Sequence, residues 1–320
     1  MRVVFLGSPE FAIPALERLI ASEHDIAGVY TQPDRPSGRG RKLSPPPVKV
    51  LALEHGLPVF QPQSISSPES IEQLRTLRPD AAVIAAYGQI LKQAVLDVPP
   101  KGFLNIHASL LPRWRGAAPI PAAILHGDSE TGATIMLVER KLDAGPMLGS
   151  VTVPIRPDDT TATLTPRIAE AGADLLLDLL PKWGRGEITP QPQDDALATY
   201  APVIKKSDAL IDWERDDAEL AARKVRAYNP WPVAYSYLGG QPLRILEAVA
   251  LQHEHGAPPG TIFTFTGQGE NTLLGAGFAV VAARHVLGVV RVQGPGGKPM
   301  PAAEYVRGHR DIIGKRLANA

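Results

Sequence analysis

Along the first hundred residues, short apolar runs alternate with segments of helical period. "RVVFLG" (2–7) predicts a strand, "PEFAIPALERLIAS" a helix, "DIAGVYTQ" (25–32) a second strand and "PPVKVLALEHG" a helix ending at Gly56. "LPVFQP" predicts a short third strand, "PESIEQLRTLR" a helix and "PDAAVIAAYG" (79–88) a fourth strand. Strands without polar alternation, separated by helices, belong to a parallel sheet covered on both faces. Their crossover connections are expected to be right-handed.

Beyond residue 100 the pattern changes. "GFLNIHAS", "TGATIMLVE" and "GPMLGSVTVPI" read as strands, with a helix starting near Ala117. "ATLTPRIAEAGADLLLDLLPKW" reads as a helix despite its proline. Polar residues and prolines then mark a surface linker, placed at 189–206 between domains at 1–188 and 207–320. "DDAELAARKVRAY" predicts a helix that stops before Asn229-Pro230-Trp231-Pro232. The runs "PLRILEAVAL", "GTIFTF", "NTLLGAG", "FAVVAARH" and "LGVVRVQG" are short and broken by Gly and Pro, which suits a small β-barrel or sandwich. No repeat of solenoid or propeller period is present.

Composition narrows the function classes. The chain has 320 residues, enough for two domains, and its 44% apolar and 21% charged fractions are those of an ordinary globular protein. It has no cysteine, so disulfides, thiolate catalysis and cysteine-zinc sites are excluded. His253 and His255 in "QHEHGAPP" are a weak metal signal in a loop, and no metal is expected. No apolar run reaches the roughly 18 residues of a membrane helix, and "MRVVFLGSPEF" lacks a signal-peptide pattern, so a cytoplasmic location is expected. Net charge is zero, split into −3 before residue 201 and +3 after it, which permits a nucleic-acid contact in the second half.

The candidate chemistry starts in "GFLNIHASLLPRWRG" (102–116). Residues two apart on a strand share a face, so Phe103, Asn105 and His107 lie together and Leu104 and Ile106 lie opposite. Ligands of open α/β sheets bind beyond the carboxyl ends of strands, where Asn105 and His107 stand. An amide and an imidazole there can hold a carbonyl oxygen and manage a proton, or merely cap a strand end. Asp143 in "KLDAGPML" fits either an Asx-turn or a carboxylate that orients His107 and favours its charged form.

The connection Gln32–Pro47 has 16 residues with no periodicity, against about 2–6 for α/β units. It carries Asp34, Arg35, Arg39, Arg41 and Lys42, net +3, and reads as a phosphate-binding loop or a solvated one. It lacks GxxxxGK[ST], and the first strand runs into "GSPEF" instead of GxGxxG, which disfavours a dinucleotide. Trp114 between Arg113 and Arg115 reads as a ligand contact or a surface-packed ring. Trp231 reads as a core or interface anchor.

The strings "NIHASLLPRWRGAAPI" and "LDAGPML" resemble the core of the folate-dependent formyltransferases. "VVFLGSPEFAIPAL", "TQPDRPSGRGRKLSPPPVKVLA" and "IDW…VRAYNPWPVA" are similar to the tRNA-directed branch, and the resemblance runs from residue 1 past 300. It implies a Rossmann-type α/β N-terminal formyltransferase domain with a C-terminal OB-like β-barrel domain. It implies formyl transfer from 10-formyltetrahydrofolate to the amine of methionyl initiator tRNA, with no metal and no covalent enzyme intermediate. The catalytic trio would be Asn105, His107 and Asp143. Ser109, Leu110, Leu111 and Pro112 would contact folate, and Arg35, Arg39, Arg41 and Lys42 the tRNA acceptor stem. A monomer is expected. Arg140-Lys141 departs from the family, where a small residue is usual. Transfer to another amine or to water, and a catalytically silent RNA-binding protein, are the rival readings.

Overall fold

The computed structural model describes residues 1–37, 42–264 and 277–319. The chain divides into two compact units. The first comprises Met1–Pro119, Glu130–Pro154 and Thr165–Pro202; the second comprises Ile120–Ser129, Ile155–Leu164 and Val203–Ala320.

The elements of the first half follow in chain order: β1 (Arg2–Gly7), α1 (Ile13–Ile20), β2 (Asp25–Tyr30), β3 (Arg35–Ser37), β4 (Lys42–Ser44), α2 (Pro47–Glu54), β5 (Val59–Phe60), α3 (Pro68–Thr76), β6 (Ala81–Ala85) and α4 (Gln93–Leu96). Next come β7 (Phe103–His107), β8 (Arg115–Gly116), α5 (Pro119–His126), β9 (Glu130–Leu137), β10 (Met147–Pro154), α6 (Thr161–Gly184) and β11 (Tyr200–Ala201). The main sheet has the order β10-β9-β7-β6-β1-β2-β5. From β1 the chain winds outward first through β2 and β5, then restarts on the other side through β6 and β7. That reversal is where an open α/β sheet forms its ligand crevice.

The five strands β5, β2, β1, β6 and β7 are parallel, as their unbroken apolar runs predict. β9 and β10 are antiparallel. Apolar periodicity carries no strand direction. The short turn between Leu137 and Met147 sets β10 antiparallel to β9, because so short a connection joins only antiparallel neighbours.

Helix α6 covers the Ile106 face of the sheet. A Cβ on its Gly172 would stand 2.7 Å from the Ile106 side chain and 3.0 Å from that of Ala133, so helix and strands touch closely there. Val4, Leu6, Ala82, Ile84 and Phe103 pack with Tyr30, Leu74 and Tyr87 in one buried cluster. The loop Gln32–Pro47, read as aperiodic, contains the short antiparallel pair β3–β4. Its base is tied down: Lys49 pairs with Asp34 at 2.8 Å, and Gln61 donates to the same carboxylate at 2.7 Å.

The second unit continues with α7 (Ala218–Ala227), β12 (Tyr235–Leu238), β13 (Gln241–Leu251), β14 (Ile262–Phe263), β15 (Phe278–Val281), β16 (Val286–Gln293), β17 (Met300–Pro301), α8 (Ala302–Gly308) and β18 (Leu317–Ala318). The antiparallel sheet runs β14-β15-β16-β13-β12-β18. Its two ends meet. Leu317 N donates to the Gly260 carbonyl, and Ile262 N to that of Lys315, so the sheet closes into a barrel. The core of this barrel includes Trp213, Val225, Leu243, Ile245, Phe278, Leu287 and Val289. The run "NTLLGAG" lies outside the described residues but for its last glycine. Trp231, expected as an anchor, is 55% exposed and is therefore not part of the core. Among the described residues no helix is long and apolar enough to cross a membrane.

Candidate active site

Strand β7 delivers Asn105 and His107 to one face, as the two-residue spacing predicts. Asn105 is half-buried, and among the described residues its amide meets no hydrogen-bond partner. It is therefore open to a ligand. His107 is 6% exposed, and its Nε2 lies 2.9 Å from the carbonyl oxygen of Trp114. A carbonyl only accepts, so Nε2 carries a proton and is committed. The free edge of the ring is Nδ1, which stands 3.8 Å from Asp143 Oδ2. That is an ion-pair distance, longer than a hydrogen bond. The structure thus brings together three residues of which one lies 36 positions from its partner in sequence.

Asp143 sits in the turn between β9 and β10, with φ +46. Asp tolerates this left-handed conformation better than most residues, although it still carries strain. The carboxylate is anchored: Gly116 N donates to Oδ2 at 2.8 Å. Asp143 thus lies in a turn, but its carboxylate bonds Gly116 and faces His107 instead of closing an Asx-turn on its own backbone.

Between them, residues 108–116 wrap tightly. Ser109 is fully buried and donates to the Arg113 carbonyl at 2.6 Å. Thr134 Oγ1 donates to the Ser109 carbonyl at 2.7 Å and accepts from Leu111 N at 3.1 Å. Thr134 is the β9 residue opposite His107, so the same register that places His107 pins this loop. Leu111 is buried, and Leu110 and Pro112 are partly exposed. Ser109 therefore spends its hydroxyl on the loop's shape.

Trp114 is 5% exposed, so it is not a surface ring; the Arg113 guanidinium covers it at 4.3 Å. Arg115, to which the sequence assigns no role, is fully buried. It meets Asp195 Oδ1 at 2.7 Å and Gln193 Oε1 at 3.0 and 2.9 Å. Lys141 also pairs with Asp195. Lys141 first, and Arg115 second, hold the Asp195 carboxyl below the usual carboxylate range. These partners come from the segment read as a linker. Through Pro202 it clusters with the first unit and straps across the site: β11 pairs in parallel with β8, and Trp114 N donates to Thr199 Oγ1 at 2.9 Å. Sequence reasoning missed Gln193, Asp195 and Thr199. "TPQPQDDALATY" has no period and no motif that would have singled them out.

Of the basic loop, Arg35 is exposed and donates to Gln32 Oε1 at 3.1 Å. Arg39 and Arg41 lie outside the described residues, and Lys42 is described only by its place in β4. Among the described residues no cluster of three or more potential metal ligands occurs.

Comparison with known proteins agrees with this anatomy. Residues 1–180 match the formyl transferase family and residues 203–310 its C-terminal domain. The chain is 52% identical to the methionyl-tRNA formyltransferase of Methylococcus capsulatus over 99% of both chains. It is 45% identical to that of Chloroflexus aurantiacus, over 98% of this chain and 99% of the relative. Among solved structures, HypX from Aquifex aeolicus in complex with tetrahydrofolic acid superposes with a TM-score of 0.64 at 19% identity. That match covers 96% of this chain and 47% of HypX, and it speaks for the fold alone. With both halves of its length accounted for in this way, the chain belongs to the formyl transferase family and is a transferase enzyme.

Proposed function

We propose that the chain transfers the formyl group of 10-formyltetrahydrofolate to the α-amine of methionine esterified to initiator tRNA. Near-complete coverage by methionyl-tRNA formyltransferases at 45–52% identity supports the substrate pair. The observation that carries the mechanism is the open Asn105 amide beside a His107 ring whose free Nδ1 faces Asp143.

The methionyl amine attacks the formyl carbon only as the neutral amine. A C–N bond forms to the amine, and the carbonyl electron pair moves onto oxygen. Asn105 donates an N–H to that oxygen, and a protonated His107 offers Nδ1–H to the same region. Nε2 cannot serve, because Trp114 holds it. Each such donor, aimed where charge develops, is typically worth about 10²–10³ in rate. Asp143 Oδ2 faces Nδ1 from 3.8 Å and orients the ring. Its Oδ1 has no partner among the described residues and can take the amine's proton or order a water that does. Collapse breaks the bond to N10 of the folate, which gains a proton. Leu110 and Pro112, partly exposed beyond β7, line the folate side.

The basic loop, with Arg35, Arg39, Arg41 and Lys42, engages the acceptor-stem phosphates. Affinity for tRNA then falls steeply with salt. A role in translation initiation fits a cytoplasmic enzyme.

The test is single-turnover formylation of charged initiator and elongator tRNA by the wild type, Asn105→Ala and His107→Ala. Each variant is expected to lose about 10²-fold or more. Unchanged rates in both would sink the residue assignment. Equal formylation of the two tRNAs would sink the substrate.

A further inference from the structure

We propose that Gln193 is a positioning residue for Asp143, oriented for that task by the buried Arg115. The inference rests on the reading of Asp143 as part of the catalytic site.

Gln193 is a bridge whose two ends cannot be exchanged. Its Oε1 accepts from Arg115 Nε and Nη2 at 3.0 and 2.9 Å. Its Nε2 donates to the carbonyl oxygens of Asp143 and Gly145, each at 2.8 Å. A guanidinium only donates and a carbonyl only accepts, so all four bonds demand the same amide orientation. Arg115 has no exposed surface, and Asp195 takes its remaining side. The bridge also has a fixed register. Met147 and Gln191 exchange both backbone hydrogen bonds at 2.8 Å, which sets Gln193 two residues along, opposite Gly145.

What Gln193 grips is the strained part of the turn. Asp143 has φ +46, and the Asp143 carbonyl is one of the two oxygens held. Gly145 is packed so closely that a Cβ would lie 1.9 Å from the Leu137 carbonyl oxygen. The carboxylate end of Asp143 is tied separately, to Gly116 N. Arg115 and Gly116 are neighbours on β8, so one two-residue strand secures both ends of Asp143, its carbonyl through Gln193 and its carboxylate directly. Without the Gln193 amide, two carbonyls lose their donor and the left-handed residue loses the contact that opposes its relaxation. The carboxylate then leaves its place beside Nδ1.

The decisive variant is Gln193→Glu in the full-length enzyme. It keeps an acceptor for Arg115 but replaces both N–H donors by a carboxylate oxygen facing two carbonyls. We expect kcat to fall about 10–100-fold with KM for tRNA and folate within about twofold, the pattern of lost positioning. Gln193→Met, which adds no charge, is expected to lower kcat in the same way if Gln193→Glu does not fold. Asp143→Ala is measured beside them, alone and combined with whichever Gln193 variant folds. If Gln193 acts through Asp143, the combined variant is no slower than Asp143→Ala by more than about twofold. Additive losses would overturn the proposal, as would full kcat in both Gln193 variants while Asp143→Ala is slow. A normal rate for Asp143→Ala itself would instead overturn the reading of the site, and the proposal with it.

Discussion

Gly116→Ala isolates the strap that crosses the site. Gly116 has φ +116, a region that L side chains rarely enter, and a Cβ there would lie 2.5 Å from the Ala201 carbonyl oxygen. The neighbour is backbone, so it cannot swing aside as a side chain would. A disfavoured backbone conformation costs about 1–3 kcal/mol. The Ala201 carbonyl accepts from Ala117 N at 2.9 Å and from Ala118 N at 3.3 Å, and both bonds weaken if it withdraws. At about 0.5–1.5 kcal/mol per bond, and with the two bonds weakened by about half instead of lost, the whole substitution should cost about 2–4 kcal/mol. Domains commonly have about 5–15 kcal/mol of stability, so the variant should still fold. Gly186→Ala is the matched control: its φ is +75, and a Cβ there meets nothing within 4 Å. That change carries only the left-handed penalty, about 1–2 kcal/mol. Urea unfolding of both variants separates the clash from the conformational cost. Single-turnover formyl transfer then reads the site. Gly116 N holds Asp143 Oδ2, so Gly116→Ala should also be about 10–100-fold slower, while Gly186→Ala keeps the wild-type rate. Equal stability losses in the two variants, with formyl transfer by Gly116→Ala within about twofold of wild type, would refute the reasoning.

Three other outcomes are expected. The Asp195 carboxyl, held below its usual range by Lys141 and Arg115, contributes stability above the unfolded value of about 3.9 and loses it as pH falls through its lower folded value. A carbon-detected titration showing its midpoint at or above that value would contradict the pairing. In the barrel, Trp213 Nε1 donates to Ser236 Oγ at 2.9 Å, and Ser236 donates to the Ala318 carbonyl at 2.8 Å. Ser236→Ala should cost about 1–3 kcal/mol and speed amide exchange in β18; a loss under about 0.5 kcal/mol in urea unfolding would count against it. Nitrogen NMR of neutral His107 should find the ring proton on Nε2, where Trp114 accepts it; a proton on Nδ1 would contradict the geometry.

Much of the fold was legible because wholly apolar runs such as "RVVFLG" and "AAVIA" become strands only when both faces are covered. Strand direction was not, since β6 and β9 are both buried yet β6 runs parallel and β9 antiparallel to their shared neighbour β7. The face shared by Asn105 and His107 followed from a period of two. The place of Asp143 did not, because spacing in sequence carries no distance. Arg115 shows the limit most clearly. Nothing in a string that flanks a charge with Trp and Gly announces its burial, which only partners 78 and 80 residues onward make tolerable. Burying an ion costs several kcal/mol unless its donors are satisfied, so the fold rather than the local string decides its fate.

The strap also sets an order of events during synthesis. A ribosome makes the chain from its amino end, and domains generally fold as they emerge. The residues of the sheet, His107 and the Asp143 turn are all polymerised before Gln193, Thr199 and Tyr200–Ala201. At that moment β8 has no partner, Trp114 N lacks Thr199, and Arg115 has neither Gln193 nor Asp195. The nascent sheet therefore exists first as a scaffold with its chemistry unassembled. Competence arrives as a separate, later step, when a stretch of chain beyond the last helix of that sheet comes back to close over it.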